Sequence, residues 1–430
     1  MRICVVALGK IGLPLAVQFA SKGHTVIGAD VNEATVDLVS QGVAPFPGET
    51  DLAEKLSEAV TAGLLSATTD TRAAVAQCEA VVLVVPLFVD EDGRPDFGWI
   101  DAATRDVAAG LRPGTLVSYE TTLPVGTTRN RWAPMLEEGS GLVAGRDFSL
   151  VFSPERVLTG RVFADLRRYP KLVGGIDATS AEHATTFYEA VLDFDERDDL
   201  PRPNGVWDLG SAEASEFAKL AETTYRDVNI GLANQFARFA DSVDVDVIKV
   251  IEACNSQPYS HIHQPGVAVG GHCIPVYPRL YLWNDPAATV VLAAREANLG
   301  MPEYAVDLLA AAYGDLDGAA VLILGAAYRG GVKETAFSGV FALVRVLEKR
   351  GATAYVSDPL YSPEELEALR LPAHRGEPVT AAVVQADHAE YRSLSPADLP
   401  GVTALVDGRR VTDAEAWSGV PGVRRVVIGG

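Results

Sequence analysis

The chain has 430 residues, 48% of them hydrophobic and 22% charged, an ordinary globular composition too long for a single core, so two or three domains are expected. A net charge of −21 argues against a partner such as nucleic acid or an anionic membrane, which rewards clustered Lys and Arg, but leaves room for an anionic small molecule at a locally positive site. The four cysteines are scattered without a C-x-x-C pair and no metal-ligand set is read, and the N-terminus runs into a strand pattern without signal-peptide or membrane-spanning character, so a soluble protein of the reducing cytoplasm is expected.

Residues 2–8 form a short apolar, β-branched run, followed by a glycine-containing turn and a helical segment from Leu13 to Ala20. A second strand, Thr25 to Ala29, ends in Asp30; a third apolar run, Ala80 to Val85, stops at Pro86; Leu116 to Ser118 and Leu150 to Phe152 read as further strands. Strands alternating with helices imply a parallel, doubly wound sheet. From Ser211 to Val243 the pattern becomes one long helix with apolar positions at Phe217, Leu220, Ala221, Val228, Leu232 and Phe236 and a glycine at 231. A helix of that length is expected to span two domains or to pack against a second subunit. Near residue 319 a new α/β unit begins, with a helix predicted over Thr335 to Lys349, a strand from Ala352 to Ser357, and Asp358-Pro359. The fold class expected is α/β: two Rossmann-like doubly wound domains, 1–205 and 306–430, joined by a long central helix and a small helical domain, 206–305.

Three features carry chemistry. In the first turn, Ala7-Leu8-Gly9-Lys10-Ile11-Gly12, glycines let backbone N–H groups approach a pyrophosphate that the following helix N-terminus favours. The first of the three usual glycines is alanine here. Asp30, eighteen residues beyond Gly12, supplies a carboxylate that accepts the ribose hydroxyls of NAD and repels the 2′-phosphate of NADP. In the loop Gln264 to Pro275, Cys273 directly follows Gly270, Gly271 and His272, a seat where side-chain bulk is absent and a nucleophile can meet a ligand. Cys4, Cys78 and Cys254 read instead as small buried residues, and His272 either polarises the pocket or only shapes it. On the long helix Lys219, Thr223 and Arg226 share one face. That stripe is either a solvated face or the wall of a cleft in which Lys219 stabilises an oxyanion or takes up a proton.

Together these segments resemble the UDP-glucose/GDP-mannose dehydrogenase family over nearly the whole chain. The resemblance rests on Gly9 to Pro14, Thr121 to Thr128, Ser153-Pro154-Glu155-Arg156, Lys219 to Glu222 with Tyr225-Arg226-Asp227, Gly270 to Cys273, Leu324 to Arg329 and Ser357-Asp358-Pro359. It implies a cytoplasmic homodimer joined through the long helix that oxidises C6 of a UDP-sugar twice and reduces two NAD. Cys273 then forms a thiohemiacetal and a thioester that water releases as the acid. Lys219 matches the lysine that holds the oxyanion, Glu155 the carboxylate of proton relay and water activation, Thr122 the hydroxyl that orients the water, and Thr223 stands where an asparagine is common. NAD would be held by Gly9, Lys10, Ile11, Gly12, Asp30, Pro86 and Thr122. The sugar nucleotide would lie against Arg156, Arg226, Tyr259, His263, Gly266, Gly270, Gly271, His272, Tyr277 and Arg329. The Gly-Gly-His-Cys-Ile-Pro and Ser-Pro-Glu-Arg-Val segments are most similar to the branch acting on UDP-N-acetylhexosamines.

The departures cluster around the sugar. Tyr277 stands in place of an aspartate that holds the lysine and the water, Tyr259 replaces an arginine often supplied to a neighbouring subunit's substrate, and Arg329 replaces a lysine. Ala268, Ala336 and Leu87-Phe88 also depart from the pattern. A missing carboxylate beside Lys219 weakens water placement, so the second oxidation is the step most exposed to these changes. Two alternatives follow: oxidation that stops at the aldehyde or acts on an unusual nucleotide sugar, and a sugar-nucleotide-binding protein of weak activity.

Overall fold

A computed structural model of the chain describes residues 1–90 and 93–430, in two compact units, Met1–Ala221 and Glu222–Gly430. The first unit is built on β1 (Arg2–Val6), β2 (Thr25–Ala29), β3 (Leu65–Thr68) and β4 (Ala80–Leu83), then a short hairpin of β5 (Phe88–Val89) and β6 (Pro95–Asp96), then β7 (Leu116–Tyr119), β8 (Ser149–Phe152), β9 (Lys171–Gly175) and β10 (Val206–Asp208). Without the hairpin these strands form one sheet in the order β10-β9-β8-β7-β4-β1-β2-β3. Its pairings among the described residues are parallel except for β8 with β9. β4 and β7 are buried along their whole length, as expected of strands covered by helices on both faces. The order reverses between β1 and β4, so a crevice opens at their carboxyl ends, the usual ligand position of such sheets.

The second unit carries β11 (Ala320–Leu324), β12 (Thr353–Ser357), β13 (Ala381–Val384), β14 (Ala404–Asp407) and β15 (Arg424–Val427), all parallel, in the order β12-β11-β13-β14-β15. Ahead of them come helices Val247–Asn255, Tyr277–Asn284, Thr289–Leu299 and Met301–Tyr313. Val247, Ile251, Met301, Val306 and Leu309 pack into one core with Val321, Ile323, Val383 and Val406. The doubly wound α/β class expected from the sequence is therefore what the chain adopts twice.

The long helix runs from Ala212 to Ser242, 31 residues or about 46 Å. Its apolar pattern is not its buried face. Leu220 is buried, but Phe217, Ala221, Leu232 and Phe236 are exposed, whereas Glu216, Lys219, Thr223 and Asp227 are buried. The stripe holding Lys219 and Thr223 is thus an interior face rather than a solvated one. Gly231 is needed for packing, because a Cβ there would lie 3.0 Å from the carbonyl oxygen of Ala294 on the neighbouring helix.

Some segments differ from the expectation. The helix predicted from Thr335 begins only at Val340. Residues 335–339 form a turn instead, in which Phe337 takes a left-handed φ of 52° and the carbonyl of Ala336 accepts the N–H of Gly271 at 2.8 Å. The first strand ends at Val6 rather than residue 8, since Ala7 turns with φ of 75°. β3, β9 and β10 were not anticipated: β3 is short and half exposed, and β9 carries a lysine and two glycines. Among the described residues no helix is long and apolar enough to cross a membrane.

Candidate active site

In the first unit the candidate residues lie at the carboxyl ends of the central strands. After β1 the chain turns through Ala7, whose N–H bonds to Ala29 at 2.8 Å, while the N–H of Leu8 donates to the carboxylate of Asp30 at 2.7 Å. Gly12 opens the helix Gly12–Ser21, and a Cβ on it would sit 1.9 Å from the carbonyl oxygen of Ala7, so no other residue fits. Gly9 faces open space. Open backbone beside a helix N-terminus suits a pyrophosphate. Asp30 also accepts the N–H of Asn32, at 2.9 Å, yet each carboxylate oxygen keeps a second acceptor site for a ribose hydroxyl. Gly9, Gly12 and Asp30 therefore fit an NAD molecule, a carrier that takes up a hydride when bound. Pro86 follows β4 and is exposed, and Thr122 follows β7 and is buried. The two strand ends are tied by the Thr121 hydroxyl, which donates to the carbonyl of Val85 at 2.6 Å.

Thr122 begins a loop held by the long helix. The carboxylate of Glu216 accepts the N–H groups of Gly126, at 2.5 Å, and Thr128, at 2.9 Å, and the Thr128 hydroxyl at 2.7 Å. Burial pushes the Glu216 carboxyl up to about 7 despite those donors.

Glu155 follows β8. Its carboxylate accepts the N–H of Arg156 at 2.7 Å and the ammonium of Lys171 at 3.1 Å. Lys171 donates equally to Glu120, at 2.7 Å, which in turn receives the Tyr188 hydroxyl at 2.6 Å. Lys171 and its hydrogen bonds hold Glu155 below the usual carboxylate range against its burial, while burial and the neighbouring Glu155 push Glu120 up to about 7. The Arg156 guanidinium reaches the carbonyl of Pro170 at 3.3 Å.

In the second unit the cysteine loop is seated on the C-terminal sheet. A Cβ at Gly270 would lie 2.6 Å from Tyr328 and 3.0 Å from the carbonyl oxygen of Phe337; at Gly271 it would lie 3.2 Å from the Tyr328 ring, and φ there is 92°. Both glycines are thus required by close approach to the segment after β11. Cys273 is partly exposed, and its carbonyl accepts the N–H of Tyr277, placing it one turn ahead of the helix Tyr277–Asn284. Cys4 and Cys78 are buried in the first unit as small apolar residues, and Cys254 is partly exposed. His272 points outward, 3.3 Å from Glu334.

Upstream, Asn229 of the long helix donates to the carbonyl of His261 and accepts the N–H of His263, and Asn234 accepts the N–H of Gly266. Arg226 Nε and His263 Nε2 are buried without a hydrogen-bond partner among the described residues, and burial with the adjacent Arg226 charge lowers the affinity of His263 for a proton. Beside Gly266 lies Arg409, fixed by the carbonyls of Gln385 and Tyr328 at 2.8 and 3.1 Å. Tyr259 is 92% exposed and Arg329 is exposed against Tyr328.

Thr122, Glu155 and Lys219 thus belong to the first unit, and Thr223, Cys273 and most expected sugar-nucleotide residues to the second. Sequence reasoning passed over Glu120, Lys171, Glu216 and Arg409. Glu120 adjoins the Thr121-Thr122 motif and Arg409 follows Asp407-Gly408, but neither position declares its burial or its partners.

The first unit's glycine turn, gripped by Asp30 at the end of β2, has a counterpart after β11, where the N–H groups of Ala326 and Ala327 bond to Asp358 at the end of β12 at 2.7 and 3.0 Å; with the cysteine loop these are the two nucleotide-binding folds of an NAD-dependent dehydrogenase. The chain belongs to the UDP-glucose/GDP-mannose dehydrogenase family. The family's NAD binding domain matches residues 1–192, its central domain residues 213–299 and its UDP binding domain residues 322–414. A UDP-N-acetyl-D-mannosamine dehydrogenase of Pyrococcus horikoshii is 34% identical over 92% of this chain and 91% of its own. An NDP-N-acetyl-D-galactosaminuronic acid dehydrogenase of Ralstonia solanacearum is 32% identical over 91% and 92%. The solved structure of a UDP-D-ManNAc dehydrogenase from Pyrococcus horikoshii superposes with a TM-score of 0.87 at 31% identity, covering 100% of this chain and 99% of that one. The protein is accordingly an NAD-dependent nucleotide-sugar dehydrogenase.

Proposed function

We propose that the enzyme oxidises C6 of a UDP-N-acetylhexosamine, UDP-N-acetylmannosamine first among the candidates, through the aldehyde to the uronic acid. The observation that carries this reading is the seat of Cys273: a partly exposed thiol in a loop whose glycines press against Tyr328 of the UDP-binding segment. Relatives that cover about nine-tenths of the chain, and whose names specify nucleotide-linked N-acetylated hexose derivatives, support the sugar class.

When bound, NAD accepts the hydrogen and electron pair leaving C6 at each of the two oxidations. The chain's own residues do the rest. The Cys273 thiolate attacks the aldehyde carbon, forming a C–S bond and an oxyanion that Lys219 and Thr223 stabilise. At the thioester stage Thr122 orients a water, Glu155 takes its proton, the water oxygen bonds to the acyl carbon, and the C–S bond breaks to return the thiolate. Pro86 and Thr122 border the cofactor. The sugar nucleotide rests against Arg156, Arg226, His263, Gly266, Gly270, Gly271, His272, Tyr277 and Arg329. The unpartnered Arg226 and His263 nitrogens supply donors that its phosphate or acetamido oxygens satisfy.

A homodimer forms through the long helix, whose exposed Phe217, Tyr225, Leu232, Phe236 and Phe239 make an apolar stripe that water disfavours. Tyr259 reaches toward the neighbouring subunit's substrate. The unpaired buried cysteines accord with the reducing cytoplasm.

The test is incubation of the purified protein with NAD and a panel of UDP- and GDP-hexoses, with NADH counted per sugar and the product weighed by mass spectrometry. Two NADH and a uronic acid are expected. One NADH and an aldehyde would assign the lack of an aspartate at Tyr277 a chemical consequence, and none would leave a binding protein. Cys273→Ser should stop at single-turnover or aldehyde-level oxidation; undiminished acid formation by that variant removes the nucleophile assignment.

A further inference from the structure

The Glu120, Lys171 and Glu155 side chains form a buried cluster larger than an ion pair requires. One ammonium serves two carboxyls, and the three side chains are 0%, 4% and 11% exposed for Glu120, Lys171 and Glu155. A lysine and a single glutamate would already be neutral, whereas the second carboxyl leaves this interior short of one positive charge unless it holds a proton. The arrangement follows from topology. β9 runs antiparallel to β8, so its first residue, Lys171, comes to the edge of the sheet where β7 and β8 deliver Glu120 and Glu155.

The cluster is also polar in direction. Glu155 is its most open member, while Glu120 leads inward to the Tyr188 hydroxyl and from there to Ser118 at 2.7 Å. Tyr188 also stacks its ring 4.8 Å from the Lys171 ammonium. A proton therefore reaches Glu120 through Glu155, and returns by the same carboxylate to solvent before the next turnover.

We propose that Glu120 is a proton reservoir and Lys171 its fixed counter-charge, a pair of positioning residues that empties Glu155 after each deprotonation of the attacking water. This rests on the reading of Glu155 as the proton-handling carboxylate. In the hydrolytic step the water proton moves to Glu155 and on to Glu120, the water oxygen bonds to the acyl carbon, and the thiolate departs, so atoms and charge balance without another reactant. The Glu120 carboxyl, when protonated, hydrogen-bonds Glu155 and helps keep it ionised. The groups facing Glu120 are Lys171 of β9, Glu155 after β8, and Tyr188 of the helix Ala178–Val191. With its proton affinity near neutrality, the reservoir is empty above about pH 7 and full below.

The experiment is a kcat profile from pH 5.5 to 9 on the full-length enzyme with NAD and the UDP-N-acetylhexosamine it turns over, for the parent, Glu120→Gln, Tyr188→Phe and Glu155→Gln. The parent should lose kcat as pH falls through about 7. Glu120→Gln should lower kcat about tenfold, flatten that limb, and leave both KM values within about threefold. Tyr188→Phe changes no charge and keeps the question answerable where Glu120→Gln fails to fold. It removes a donor to the ionised Glu120, so the inflection should move to higher pH. A parent-like profile in a folded Glu120→Gln, or an unmoved inflection in Tyr188→Phe, overturns the reservoir. Parent-like turnover in Glu155→Gln instead overturns the role of Glu155 itself.

Discussion

Gly12→Ala is the substitution whose consequence is fixed most tightly by the geometry. The new methyl carbon would lie 1.9 Å from the Ala7 carbonyl oxygen and 3.1 Å from its carbon, and since Cβ atoms do not come within 3.0 Å of such neighbours, the turn must open by about 1 Å. Ala7 and Leu8 cannot move freely: the first N–H bonds to Ala29 and the second to the Asp30 carboxylate. Losing a neutral hydrogen bond costs about 1 kcal/mol and a charge-assisted one about 2, so the variant should be roughly 3 kcal/mol less stable. In a unit of this size that is a fall of about 6–12 °C in Tm. On the reading of this turn as the pyrophosphate seat, the Kd for NAD should rise at least about tenfold. Thermal unfolding with and without NAD, together with calorimetric titration of the cofactor, reads both. A variant within about 2 °C of the parent Tm and twofold of its Kd would refute the account of this turn.

Three further outcomes follow from single features. Ala7 holds a left-handed φ of 75°, which disfavours an L-residue by about 1–2 kcal/mol, so Ala7→Gly should raise urea-unfolding stability by about 0.5–1 kcal/mol after the entropy cost of glycine; a loss would contradict the strain. The folded state binds the Glu216 proton more tightly than the unfolded chain, whose carboxyl titrates near 4.5, so this group makes stability fall as pH rises from about 4.5 to 7, by about 3 kcal/mol in all. Glu216→Gln should flatten that part of the profile measured by urea at pH 5 to 8, and an unchanged slope would show the burial has no such effect. Replacing exposed Leu232 and Phe239 by glutamate should convert a dimer to a folded monomer by light scattering, because neither side chain supports the chain's own core. An unchanged mass would move the interface elsewhere.

The doubly wound class was readable because β1, β4, β7 and β11 are short apolar runs ending at turns, and burial on both faces leaves that signature in sequence. β9 was not readable. Its lysine and paired glycines look like a loop, and only the neighbouring β8 makes them a strand. The glycine-flanked Cys273 and the acidic end of β2 were legible because bulk and charge at those places have a local meaning. Glu120, Lys171 and Glu216 were not, since a glutamate or lysine in sequence reads as solvated until its partners, tens of residues away, are placed beside it. The long helix departed from expectation for a related reason: its large apolar residues were identified, but most of them are exposed, and its buried face carries Glu216, Lys219, Thr223 and Asp227 in the first half and Ala233, Ala237 and Ala240 in the second.

Asp30 has a bearing on the evolvability of the cofactor preference. On the reading of Asp30 as the carboxylate that faces the NAD ribose, the residue that would exclude a 2′-phosphate is also a fastener of the fold, because the same carboxylate holds the first turn. Replacing it by a small neutral residue to admit NADP would slacken the very backbone that must grip either dinucleotide. A change of coenzyme in this scaffold therefore calls for at least two coordinated substitutions, one to receive the phosphate and one to re-anchor Leu8.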